Sequence, residues 1–147
     1  MIDPSSLTQA RSSAIGYLSR REHANLELRN KLTRKGFEQS VIDSVLKQLR
    51  AENLQSDERF VESYVRTRTH KGFGPLRIQQ ELRERGISDE LLSGVLEADE
   101  AAWVTRARLA RQKRFGQGLP QGKRELGKQI RFLQSRGFSS SQIRAAI

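Results

Sequence analysis

The stretch RTRTHKGFGPLRIQQEL, residues 66–82, has the residue types of a phosphate cradle. It holds two glycines one residue apart, the cations Arg66, Arg68, Lys71 and Arg77, and His70. Backbone N–H groups of a glycine loop, helped by a fixed cation, can hold a nucleotide's phosphates. The spacing argues against that chemistry here. A dinucleotide fingerprint needs a preceding strand, a third glycine and an acid about twenty residues on. The segment before Gly72 reads as helical, and GFGPLR supplies neither a third glycine nor a Walker lysine. Gly72 instead ends one helix, and Pro75 opens the next, where its missing N–H costs nothing. Phe73 projects from this corner and is a candidate for stacking or partner contact. By the same logic Pro120, in FGQGLPQGKREL, stands at the start of a later helix.

Other catalytic chemistry finds little support. His23 and His70 are the only histidines, and neither has ligand spacing. His70 adjoins Arg68 and Lys71, whose charge opposes a bound cation. The carboxylates Asp57/Glu58 and the run EADE at 97–100 resemble acid–base or metal pairs. Both fall where a helix begins, and dipole stabilisation accounts for them. The chain has no cysteine, which excludes disulfides, thiolate zinc sites and a cysteine nucleophile and fits a reducing cytoplasm. Trp103 and Tyr64 have the chemistry to stack on bases, but each lies among apolar residues at helical spacing, so burial is favoured. No metal, cofactor or catalytic residue is expected.

Charge is the stronger signal. The net charge of the 147 residues is +10. Residues 1–102 carry 16 Lys/Arg against 16 Asp/Glu, whereas residues 103–147 carry 11 Lys/Arg against Glu125 alone. The whole excess therefore lies in the last third, which suggests a polyanionic partner. Arginine outnumbers lysine there, and its fork suits phosphate. One basic cluster is Arg66, Arg68, Lys71 and Arg77 at the central corner. The other is Arg106, Arg108, Arg111, Lys113, Arg114, Lys123, Arg124, Lys128 and Arg131. Arg106, Lys113 and Arg114 recur at i, i+7, i+8 and are expected to share a helix face. With a facing helix, they would track a phosphate backbone without reading sequence. The first 102 residues, without net charge, suit protein contact. No apolar run is long enough to cross a bilayer. The first residues, MIDPSSLTQARSS, lack a basic segment followed by an apolar one, so no signal peptide is expected.

The elements that must carry these cations repeat. LTRKGFEQSVIDSVL (32–46), LRERGISDELLSGVL (82–96) and LQSRGFSSSQIRAAI (133–147) align without gaps. Leu32, Leu82 and Leu133 are each followed four residues on by Gly36, Gly86 and Gly137, then by Phe37, Ile87 and Phe138. Glycine just past a helix end takes the left-handed conformation, and the residue after it contacts the one four before. The preceding cations, Lys35, Arg85 and Arg136, suit a helix C-terminus. Each stretch is thus a helix stop, followed by a second helix. Ser88 and Ser139 are N-caps, Ser139 with Gln142 forming a capping box. The following apolar positions, Val41/Ile42/Val45/Leu46 and Leu91/Leu92/Val95/Leu96, lie on one helical face, with a weaker Gln142/Ile143/Ala146/Ile147. LTQARSSAIGYLSR, DERFVESYVRTRTH, capped by Ser56, and EAAWVTRARLARQKRF open the three units. No segment sustains two-residue alternation, so no sheet is expected. The fold class expected is all-α, with three-helix repeats over 1–53, 54–99 and 100–147 along an elongated body.

These residues carry a resemblance. SRREHANLELRNKLTRKGF (19–37), LQSDERFVESYVRTRTHKGFGPLRIQQELRERGIS (54–88) and, less closely, KRFGQGLPQGKRELGKQIRFLQSRGFS (113–139) resemble the motifs of the RecX family, regulators of the bacterial RecA recombinase. They span almost the whole chain in the family's order. Ala24 departs from the pattern, which often has serine there, and weakens the expected N-cap. The resemblance implies tandem three-helix units in an elongated, curved molecule, and a cytoplasmic, non-enzymatic negative modulator. Its partners would be RecA, the RecA filament on single-stranded DNA, and DNA itself, single- or double-stranded and without sequence preference. Lodged in the filament groove, it would reduce filament growth, strand exchange, ATP turnover and coprotease activity. No membrane contact is implied, and a monomer is expected. The alternative class is a duplex-DNA or structured-RNA binder of the transcriptional-regulator kind, which would favour one site strongly. A nuclease or NTPase would instead show turnover with magnesium.

Overall fold

The computed structural model of the protein describes residues 2–96 and 99–147. Among them are α1 (Pro4–Leu18), α2 (Asn25–Arg34), α3 (Gln39–Ala51), α4 (Asp57–His70), α5 (Pro75–Glu84), α6 (Asp89–Leu96), α7 (Glu100–Phe115), α8 (Gly122–Arg136) and α9 (Ser140–Ala146), and no strand. The described residues are all-helical, as the absence of two-residue alternation requires. Of the run EADE at 97–100, Glu97 and Ala98 lie outside the described residues. Asp99 caps α7, its carboxylate accepting from the Ala101 N–H at 3.0 Å.

Each helix stop forms as its glycine demands. Gly36, Gly86 and Gly137 have φ of +94°, +78° and +98°. At the first, the Phe37 N–H donates to Leu32 carbonyl at 3.3 Å and the Gly36 N–H to Thr33 at 3.0 Å. At the third, Phe138 donates to Leu133 at 3.2 Å and Gly137 to Gln134 at 3.0 Å. This pair of bonds satisfies carbonyls that a helix end leaves open. The central corner repeats the pattern: Gly72, at φ +90°, donates to Thr69 at 3.0 Å and Phe73 to Arg68 at 3.1 Å. RTHKGF is thus a fourth stop of the same geometry, with Arg68 where the others have leucine. Pro75 opens α5 as expected. Pro120 does not open α8, which begins two residues later at Gly122.

The chain packs as two compact units, residues 1–63 with 85–87 and residues 64–84 with 88–147. The division falls inside α4, not at a repeat boundary. In the first unit Ala10, Ala14, Leu28, Leu32, Val41, Ile42, Val45, Leu46 and Leu49 form the core, with Phe37 packed against it. Burying each of these larger aliphatic side chains contributes roughly 1.5–3 kcal/mol.

A polar hub adjoins that core. His23 is buried, its Nδ1 3.1 Å from the Arg21 carbonyl and its Nε2 2.9 Å from Lys31 Nζ. The neutral tautomer that donates from Nδ1 and accepts at Nε2 fits both contacts. Burial pushes the imidazole pKa down, and the Arg21 carbonyl opposes that shift. Buried Gln55 donates to the His23 carbonyl at 3.1 Å and to Asp57 Oδ1 at 3.0 Å. Asp57 Oδ1 also accepts from the Asn25 N–H at 2.9 Å. Ala24 cannot cap α2, so two carboxylates do so in its place: Asp57 from α4, and Glu27, which accepts from the Ala24 N–H at 3.1 Å.

In the second unit Ile78, Leu82, Leu92, Val95, Trp103, Ala107, Leu133, Phe138, Ile143 and Ala146 are buried. Ser139 and Gln142 form the expected capping box at the start of α9.

Candidate nucleic-acid interface

The glycines of GFGP have separate tasks. Gly72 turns the chain through positive φ, and Gly74 admits another backbone. The Gly74 N–H donates to the Arg136 carbonyl at 2.7 Å and the Leu76 N–H to Gly137 at 2.9 Å. The corner therefore sits on the carbonyl end of α8. A β-carbon on Gly74 would fall 2.6 Å from the Gly137 oxygen, and one on Gly137 would fall 2.6 Å from the Arg77 nitrogen. Only two glycines permit this approach.

That contact brings the corner's side chains to those of α7 and α8. Phe73 does not project freely, as the sequence suggested. The guanidiniums of Arg68, Arg77 and Arg136 lie 3.8, 4.4 and 4.7 Å from its ring centroid. Through these cation–π contacts the half-buried ring gathers the three arginines of the corner. Arg136 also lies 5.1 Å from the Phe132 ring, and Arg114 lies 5.9 Å from Phe132 and 5.4 Å from Phe115. Phe115 and Phe132 meet edge to face at 5.3 Å. A seam of alternating rings and guanidiniums runs Phe73, Arg136, Phe132, Arg114, Phe115.

Glu81 is the seam's anion. It accepts from Arg68 Nε at 2.9 Å, Arg68 Nη2 at 2.7 Å and the Tyr64 hydroxyl at 2.9 Å, with Arg77 Nε at 3.4 Å. Burial raises the carboxyl pKa, but the hydrogen bonds from Arg68 and Tyr64 and the charge of Arg68 outweigh it, so the net shift is downward. Arg77 also donates to the Ser135 carbonyl at 3.0 Å. Arg68 and Arg77 therefore build the corner. Tyr64 is part-buried with its hydroxyl occupied, and Trp103 is buried, as their spacing implied.

Beside the seam is a cavity of about 230 Å³, lined by Lys71, Gly72, Ala110, Lys113, Arg114, Phe132 and Arg136. Lys71 belongs to the central cluster, and Lys113 and Arg114 to the second. The two clusters named from sequence thus share a surface.

The remaining candidates separate. Lys123, Arg124, Lys128 and Arg131 are exposed along α8, on the side away from buried Gln129 and Leu133. Arg66 is exposed but lies two residues from Arg68, on the other side of α4. Arg106 is half-buried, its guanidinium 4.5 Å from the Trp103 ring centre. Arg108 donates to the Ala145 carbonyl in the last turn of α9 at 3.2 Å. Arg111 must be withdrawn from the exposed face. It is 2% exposed and donates to the Gly118 carbonyl at 3.1 Å, holding the loop between α7 and α8. In this position it faces Trp103, Ala107 and Ala110's side of α7 and reaches no surface phosphate. Leu32, Leu82, Ile87, Leu133 and Phe138 are buried, as the helix stops require. Sequence reasoning missed Glu81, Phe132 and the contacts of Arg136 with the Phe73 and Phe132 rings. The Arg77/Glu81 spacing of four was the available sign of the first.

Nine helices among the described residues, arranged as helix–helix–stop–helix repeats with a cationic surface on the second unit, define an all-helical repeat protein. Profiles of the first, second and third three-helix domains of RecX match residues 10–49, 56–96 and 104–147. The chain belongs to the RecX family. A relative named Regulatory protein RecX, from Halorhodospira halophila, is 46% identical over 136 residues, covering 92% of this chain and 84% of its own. The protein of that name from Legionella pneumophila is 41% identical over 137 residues, covering 93% and 91%. The crystal structure of RecX from Lactobacillus salivarius shares the fold with a TM-score of 0.83 at 22% identity, over 97% of this chain and 94% of that one. A second crystal structure, of regulatory protein RecX, has a TM-score of 0.80 at 26% identity, over 96% and 71%. Among the described residues no helix is long and apolar enough to cross a membrane, and no group of three or more His, Cys, Asp or Glu side chains could hold a metal.

Proposed function

We propose that this protein is a cytoplasmic, non-catalytic negative modulator of the RecA recombinase. It binds the RecA filament on single-stranded DNA and contacts DNA through the cationic surface of its second unit. Filament extension, strand exchange, ATP turnover and coprotease activity fall as a result. Family membership supports the RecA half of this reading. The observation that carries the DNA half is the cavity where Lys71 meets Lys113, Arg114 and Arg136. Phosphates bound there, and along Lys123, Arg124, Lys128 and Arg131, give affinity without sequence preference, because no base edge is read. The three repeats, over 1–53, 54–99 and 100–147, supply several small patches whose joint engagement raises the effective concentration of each. The test is RecA-dependent ATP hydrolysis on single-stranded DNA with the full chain added substoichiometrically. Inhibition well below one molecule per RecA is expected; undiminished hydrolysis at equimolar protein would remove the reading.

A further inference from the structure

We infer that the cavity lined by Lys71, Lys113, Arg114, Phe132 and Arg136 is a single-nucleotide pocket. It takes one unstacked nucleotide of a single strand, with the base on the Ala110–Phe132 floor and the adjoining phosphates on the surrounding cations. The inference rests on the proposed DNA contact and specifies its ligand.

Charge is the first argument. Lys113 and Arg114 lie in the last turn of α7, Arg136 is the last residue of α8, and Lys71 follows the last residue of α4. Three helix C-termini converge there, each equivalent to about half a negative charge. The bland account is that the cations only neutralise those ends. Four cations against about one and a half negative charges leave the cavity strongly positive. Glu81 does not make up the difference, since its described partners are Arg68, Arg77 and Tyr64. None of the four lining cations forms an ion pair among the described residues.

Shape and surface are the second. A volume of about 230 Å³ lies below the roughly 300 Å³ at which pockets for larger ligands begin. That is room for about one base and its sugar. Gly72, Ala110 and Phe132 give the apolar part of the lining, and Arg114 and Arg136 set planar guanidiniums 5.9 and 5.1 Å from the Phe132 ring centre. Bases of single strands stack on aromatic rings and on guanidinium planes alike. The loosest joint of the seam, Arg114 to Phe132 at 5.9 Å, borders the cavity. A duplex can fill such a pocket only by unpairing a base. The pocket therefore discriminates single strands from duplex, whereas the exposed row on α8 does not.

The experiment titrates the full-length, isotope-labelled chain with thymidine 5′-monophosphate and, separately, with inorganic phosphate, following backbone amide resonances. The monophosphate should shift Gly72, Ala110 and Arg114 saturably, with phosphate much weaker. Ala110→Leu fills the floor without changing charge. It should abolish the nucleotide shifts and lower affinity for oligothymidine about tenfold, the loss expected for one base stack, with duplex affinity unchanged. Because leucine there crowds Gly72, exposed Lys71→Gln with Lys113→Gln is a second variant, which should weaken monophosphate binding at wild-type helicity. Equal shifts from phosphate and nucleotide would overturn the inference, and so would no shift with either. Unaltered oligothymidine affinity in folded Ala110→Leu would overturn the pocket and leave the DNA contact standing. Failure to bind any DNA would remove that contact, while the monophosphate titration would still decide the pocket.

Discussion

Three glycine-to-alanine substitutions separate backbone conformation from backbone approach. Gly36 has φ +94° and nothing within 4 Å of a β-carbon, so Gly36→Ala carries only the left-handed penalty, about 1 kcal/mol. Gly74 lies outside the left-handed range, but its β-carbon would meet the Gly137–Phe138 backbone at 2.6 Å. Relief requires the corner to lift from α8, which weakens the hydrogen bonds from Gly74 and Leu76 to Arg136 and Gly137, a cost of about 2–3 kcal/mol. Gly137→Ala combines both effects, with φ +98° and a clash with the Arg77 backbone, and should cost about 3–5 kcal/mol. Urea unfolding followed by helical circular dichroism measures all three. The predicted order is Gly36 least, then Gly74, then Gly137. Only the latter two should also weaken single-strand binding, because only they disturb the seam. Gly137→Ala within about 0.5 kcal/mol of Gly36→Ala, a margin near that expected for independent sites, would refute the close-approach argument.

Further expectations concern buried polar groups. Replacing Arg111 with methionine should leave the salt dependence of DNA binding unchanged and lower stability by about 1–3 kcal/mol, because the Gly118 carbonyl loses its charged donor; a shallower salt slope would show that Arg111 reaches a phosphate. The depressed pKa of His23 means that the unfolded chain binds a proton more readily than the folded one. Stability should therefore fall as pH drops below about 6.5, the ordinary histidine value, until the folded-state pKa is passed. A His23→Gln chain measured by urea unfolding should lose that part of the pH dependence, and retention of the full dependence would exclude His23 as its source. Asp57→Ala removes the acceptor shared by Asn25 and Gln55 and should cost about 1–2 kcal/mol; a thermal midpoint equal to the wild type would show that α2 needs no borrowed cap.

Legibility in the sequence followed the range of the interaction. The Leu–x–x–x–Gly–apolar spacing fixes a helix stop because all its bonds are made within six residues, so Gly36, Gly86 and Gly137 could be read directly. The serine caps at 56, 88 and 139 are local in the same way. Arg111 could not be read so: its charge suggested surface, while its place beside Ala107 and Ala110 on α7 put it inside. Phe73 was legible as special, but not as the centre of three guanidiniums, because Arg136 reaches it only through the Gly74–Gly137 contact. Asp57 standing in for a missing cap at Ala24 is likewise a contact between distant residues. The two basic clusters were visible as composition, and their meeting at one cavity depended on which helix ends the glycines allowed together.

The claim that this meeting makes a polyanion-binding surface is tested most directly by the salt dependence of single-strand affinity. The wild type, neutralising about six phosphates, should give a log–log slope of about −4. A chain with Lys71, Lys113 and Arg114 changed to glutamate should keep its helicity and give a slope nearer about −2. The same slope in both chains, or a wild-type affinity indifferent to salt, would contradict the account.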